Sequence, residues 1–175
     1  MKPQVAILLL VAALLNAAEP ISVTKENAAT FYRGFMRLTE KPRFVNDLVL
    51  IGCGPALGHD ALIPNAKRRD SPHVEKAIHL YANAAAAEAI AKDRNEFPES
   101  AIIVKEKLGG GYLSVTGIGG MIKRAKGYDP KNGDWEFFFF TPGGEFTTGK
   151  LANCIDCHSG GKRDHVFNVW NLGAK

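Results

Sequence analysis

The stretch Cys154-Ile155-Asp156-Cys157-His158 holds the residues best suited to chemistry in this chain. Two cysteines with two residues between them, followed at once by histidine, form the C-x-x-C-H pattern of covalent c-type haem attachment. Thiols at that spacing can add to the two vinyl groups of one haem as thioethers. The adjacent imidazole then falls under the iron as its proximal ligand. Two blander chemistries use the same residue types. A redox-active C-x-x-C needs a strand and a helix in a βαβ unit around it, and none is predicted near this C-terminal stretch. A zinc site needs a second pair of ligands, and no second C-x-x-C or paired His/Cys completes one. One haem c is the expected cofactor, held by Cys154 and Cys157, with His158 on the iron.

The N-terminus speaks to compartment. Lys2 gives a short positive region, Val5 to Leu15 is an apolar run, and Asn16-Ala17-Ala18 offers small residues before Glu19-Pro20. That is the layout of a cleaved secretory signal peptide over residues 1–18. The run is short for a bilayer span. Export to the periplasm or beyond fits haem c, which bacteria attach outside the cytoplasm. Residues 19–175 are then one domain. The formal charge of +4 is spread along the chain. Lys67-Arg68-Arg69 is the only basic cluster and reads as solvated surface, so no nucleic-acid partner is expected.

The elements that must position the motif read as α+β, a single domain dominated by an antiparallel sheet with a few flanking helices. Residues 24–39 suggest a helix capped by Thr24, with Ala28, Phe31, Phe35 and Leu38 on its apolar stripe and Met36 in the packing. Residues 50–72 are rich in Gly, Pro, Asn and Asp and read as a long loop holding Cys53, read as a buried thiol, and His59. Residues 76–82 alternate as a strand, with Ile78 and Leu80 on one face and His79 and Tyr81 on the other. Asn83 caps an alanine-rich helix running to about Arg94. Residues 100–108 form a strand that puts Ile103, Lys105 and Lys107 together. Tyr112 to Arg124 is the next strand, and Gly117, Gly119 and Gly120 within it suggest a bulge or close approach of another group, such as a flat haem. Trp135 to Thr141, with Phe137 to Phe140, implies a strand buried on both faces and in part an apolar wall for a cofactor.

Several of these pieces, taken in order, resemble one family. They are Ile102-Ile103-Val104-Lys105-Glu106-Lys107, Met121-Ile122-Lys123-Arg124, Gly127-Tyr128-Asp129-Pro130, Asn132 to Phe138, the Cys154–His158 motif and Asp164-His165-Val166-Phe167. The chain is similar over about residues 75–168 to the cytochrome P-460 family, which includes the cytochromes c′-beta. The resemblance implies an exported, often homodimeric haem c protein of mostly antiparallel β structure. Its iron would be five-coordinate, with an open distal side for a small nitrogen ligand or substrate, and a redox partner protein would exchange electrons with it. It also implies a role for Lys105, which matches the lysine that some members join covalently to the porphyrin. The chain departs from the hydroxylamine oxidisers at the distal carboxylate, whose position falls on Gly119; glycine cannot act as a general base. His79 falls where relatives carry arginine, and is the candidate catalytic residue for hydrogen bonding or proton transfer.

Three functions follow. The first is oxidation of hydroxylamine or nitric oxide at an open iron, with Lys105 cross-linked. The second is non-enzymatic nitric oxide binding, as in the c′-beta members. The third is electron transfer with Met121 as sixth ligand, against which stands Met121 as ordinary core filling.

Overall fold

A computed structural model describes residues 21–44, 77–109 and 113–167. The expected signal segment, the expected loop with Cys53 and His59, and the 67–69 basic cluster lie outside the described residues. Among the described residues seven strands form one antiparallel sheet: β1 (Met36–Arg37), β2 (Arg43–Phe44), β3 (Ala77–Ala82), β4 (Ile102–Gly109), β5 (Ser114–Lys123), β6 (Trp135–Phe140) and β7 (Phe146–Gly149). From β3 to β7 each strand pairs with the next in sequence, and β1 and β2 both pair with β3. Two α-helices accompany the sheet among the described residues, α1 (Ala84–Ala91) and α2 (Ala152–His158). The α+β expectation holds.

Asn83 locks the start of this meander. Its side-chain oxygen accepts from Ala86 N–H at 3.0 Å, capping α1, and from Ile102 N–H at 3.0 Å, where β4 begins. Its amide donates to the Ser100 carbonyl at 2.7 Å. One short polar side chain therefore satisfies a helix end and fixes the entry of the next strand.

The segment read as a first helix over 24–39 is instead a run of turns leading into β1. Its backbone bonds mix two spacings: Ala28 N–H reaches the Thr24 carbonyl and Phe31 N–H that of Asn27, but Arg33 N–H reaches Thr30 and Phe35 N–H reaches Tyr32. The physical reason lies in side chains that compete with a helix. Asn27 accepts from Thr24 N–H and donates to the Ser22 carbonyl, and such local bonds favour turns. Phe31 packs edge-on against Tyr32, Phe35 and Phe138. Met36, expected in the packing, is 62% exposed on β1.

The sheet separates two apolar clusters by strand parity. Ala82, Ile103, Met121, Trp135 and Phe137 form one with α1, and α2 residues Cys154 and Ile155 pack on it. Tyr32, Ile102, Val104, Ile118, Ile122 and Phe138 form the other. The phenylalanine run is divided between them, as period-two alternation requires. Gly120 belongs to the second side. A Cβ there would collide with the Phe138 ring and lie 2.6 Å from the Ile103 carbonyl oxygen. Close approach is thus the reason for this glycine, but the group that approaches is a phenylalanine. Gly120→Ala is expected to lose about 1–3 kcal/mol by overpacking; a denaturant midpoint unchanged from the parent would contradict this packing.

Candidate functional site

The motif forms α2, a helix of seven residues. Cys154 and Cys157 are both half-buried and not joined by a disulfide, and burial raises the Cys154 pKa above the usual thiol range. His158 lies one turn beyond Cys154 and therefore on its side of the helix. The His158 ring is held between Phe137, at a centroid distance of 5.1 Å, and Phe167, at 5.6 Å. Its Nδ1 lies 2.8 Å from the His165 carbonyl oxygen. A carbonyl only accepts, so Nδ1 carries the proton and donates, and Nε2 keeps its lone pair. Burial, aided by the nearby Lys105 charge and opposed by the bond to His165, pushes the His158 pKa down to about 4. The imidazole is therefore neutral at physiological pH, the form that can ligate iron.

Strand register decides what shares this side. Lys105 pairs across with Leu80 on β3 and Gly119 on β5, and Gly119 pairs in turn with Phe139. Ile103, Met121 and Phe137 form the adjoining row, the one on which α2 packs. Directly paired residues point to one face, so Lys105 lies on the face that carries Cys154 and His158. Its charge is close enough to lower the pKa of both. Lys107, on the same face, is 4% exposed, with its Nζ 4.4 Å from the centre of the Phe139 ring.

His79 is not brought to this face. It pairs with Glu106, on the opposite side of β4 from Lys105, and its Nδ1 lies 3.0 Å from the Thr39 hydroxyl. Alternation along β3 explains the separation: His79 follows Tyr81, and Tyr81 packs on the second cluster. There Glu106 accepts from the Tyr32 hydroxyl at 2.5 Å and from that of Tyr81 at 2.8 Å. Burial and this carboxylate raise both phenol pKa values, that of Tyr81 to about 12. This triad has no signature in sequence, because its members lie up to 74 residues apart. Met121, the possible sixth ligand, is 3% exposed in the cluster that receives Cys154 and Ile155. It fills space under α2.

The donor set suits covalent haem. Two thiols on one helical turn and a neutral histidine whose Nε2 keeps its lone pair are what attachment and ligation require. Gly117 and Gly119, both buried, line the same face without side chains. The family model for cytochrome P460 matches residues 60–168, well over half of the chain.

The chain belongs to the cytochrome P460 family. Its cofactor is accordingly haem, and the C-x-x-C-H helix is in keeping with c-type attachment in this family. No curated protein gives a significant match. As a cytochrome P460 protein, its business is with small nitrogen species at haem. Both Lys105 and Gly119 lie within the matched span. The His165 carbonyl is invisible in sequence, since a backbone acceptor leaves no mark on residue type.

Proposed function

We propose that this protein is an exported mono-haem c-type cytochrome that receives small nitrogen species, hydroxylamine or nitric oxide, at an open iron position and oxidises them. The haem supplies the redox chemistry. Cys154 and Cys157 anchor it, His158 holds the iron from one side, and Lys105 is joined to the porphyrin edge. The observation that carries the reading is the placement of Lys105 on the face of Cys154 and His158, close enough to shift the charge equilibria of both. A lysine amine suits such a bond chemically, because it is a nucleophile once it has given up its proton. Electrons leave to a redox partner protein, and the working form is a homodimer, as the family resemblance implies. The residues 1–18 direct export.

The optical spectrum of the ferrous protein tests this. A Soret band far to the red of ordinary c-type haem is expected, returning to the ordinary position in Lys105→Ala. An ordinary band in the parent, with an unmodified Lys105 peptide by mass, would exclude the cross-link.

A second reading, nitric oxide binding without turnover, is favoured by one observation. The site face of β3 to β6 carries no carboxylate among the described residues: Gly119 stands at the position of the family's distal acid, with only the Phe139 ring and the Phe138 carbonyl oxygen near. Steady oxidation of hydroxylamine by the purified protein separates the two.

A further inference from the structure

Residues 161–166, which follow α2, are gripped from several directions. Arg163 donates to the Arg94 carbonyl at 2.5 Å, to the Ala89 carbonyl at 2.8 Å and to the Asp93 carboxylate at 2.8 Å. The Asp164 side chain, 6% exposed, accepts from Lys123 Nζ at 2.6 Å and from Phe97 N–H at 2.9 Å. The Asp164 carbonyl accepts from Trp135 Nε1 at 2.7 Å. Three elements far apart in sequence thus hold one short segment. It is held in a conformation it would not choose: Asp164 and His165 are consecutive residues at φ 50° and 62°, a region costly for residues with a Cβ. The outcome of that strain is specific. It turns the His165 carbonyl toward His158 Nδ1. Two glycines leave no slack around it. A Cβ on Gly161 would lie 2.5 Å from the His165 carbonyl carbon and 2.7 Å from its oxygen, and one on Gly133 would lie 2.7 Å from Asp164 Oδ1 and from His165 Cδ2.

We propose that the 161–166 segment is a positioning device for the iron ligand, with Asp164 as its anchor. It sets the strength of the Nδ1–H bond to the His165 carbonyl, and so the electron density that His158 Nε2 offers the iron. Hydrogen bonding at the outer nitrogen raises the basicity of a metal-bound histidine. A more basic axial ligand favours the oxidised iron. Asp164 touches neither haem nor substrate and acts through the ligand alone. The inference rests on the reading of His158 as the iron ligand.

The test uses the holoprotein. Gly161→Ala displaces the acceptor directly. Asp164→Asn breaks the ion pair with Lys123 while keeping an oxygen for Phe97 N–H. Both are expected to lower the iron–histidine stretching frequency of the ferrous protein by resonance Raman and to raise the midpoint potential. Phe138→Leu, on the far side of the sheet, is expected to lower the melting temperature with the band unmoved. If Gly161→Ala does not fold, Asp164→Asn alone decides. A band present in the parent but unmoved in the variants, with stability lost, would make the segment merely structural and overturn the proposal. No iron–histidine band in the ferrous parent would instead remove the reading of His158 on which it stands.

Discussion

The His158→Ala protein is expected to lose its mature haem almost completely. The imidazole is the proposed iron ligand, and its ring is already fixed by Phe137, Phe167 and the His165 carbonyl. Even partners that only hydrogen-bond to a metal-bound histidine are worth about 10–100-fold in metal affinity or activity, so removal of the ligand itself is expected to lower holoprotein yield by at least about tenfold. Haem-stained gels and the pyridine haemochrome of purified protein measure it. The cysteines give a separable result. Cys154→Ser and Cys157→Ser each remove one thioether and shift the haemochrome band; the double variant leaves any remaining haem held by Lys105 alone, and adding Lys105→Ala makes it extractable by acid acetone. A His158→Ala protein with full haem content and unchanged iron ligation would refute the assignment.

The second large effect concerns stability. Trp135 is fully buried, packs edge-on against Phe97 at 5.6 Å and donates its indole N–H to Asp164. Trp135→Ala is expected to cost about 3–5 kcal/mol through the cavity alone. The Asp164 carbonyl, left without its donor, adds about 1–3 kcal/mol. Against a total of about 5–15 kcal/mol for an ordinary domain, that change threatens folding at body temperature. Trp135→Phe refills most of the volume and loses the bond, so urea denaturation should place it well above the alanine variant. Equal loss in both would mean that the hydrogen bond, not the packing, carries the residue's contribution.

Sequence showed the chemistry more fully than the architecture. Cys154, Cys157 and His158 announce themselves because covalent attachment demands fixed residue types at fixed spacing. Strand alternation was readable in β3, β4 and β6, where burial on one face or both leaves a period of two. That alternation placed Lys105 correctly with Ile103 and Lys107. Elsewhere local signals misled. The 24–39 stripe has helical spacing, but Asn27 and the aromatic contacts of Phe31 impose turns. Gly120 read as room for a cofactor and proved to be room for Phe138. The relation of His79 to the site needed pairing between strands, which a single chain does not print. The His165 carbonyl needed two left-handed residues in succession, and neither Asp nor His signals that alone.

Lys105 and Glu106 are neighbours in sequence and face opposite ways. One strand therefore serves two clients, supplying a cation to one side and the carboxylate shared by Tyr32 and Tyr81 to the other. A slip of a single residue would hand each side the wrong charge. The grip of Asn83 on Ile102 N–H keeps that phase, and the register shift after Lys107 lets Leu108 and Gly109 realign without disturbing it. In evolution such a strand can exchange letters but not gain or lose one between Ile102 and Lys107. The reading frame of the backbone, more than any one side chain, is what variation in this region must preserve.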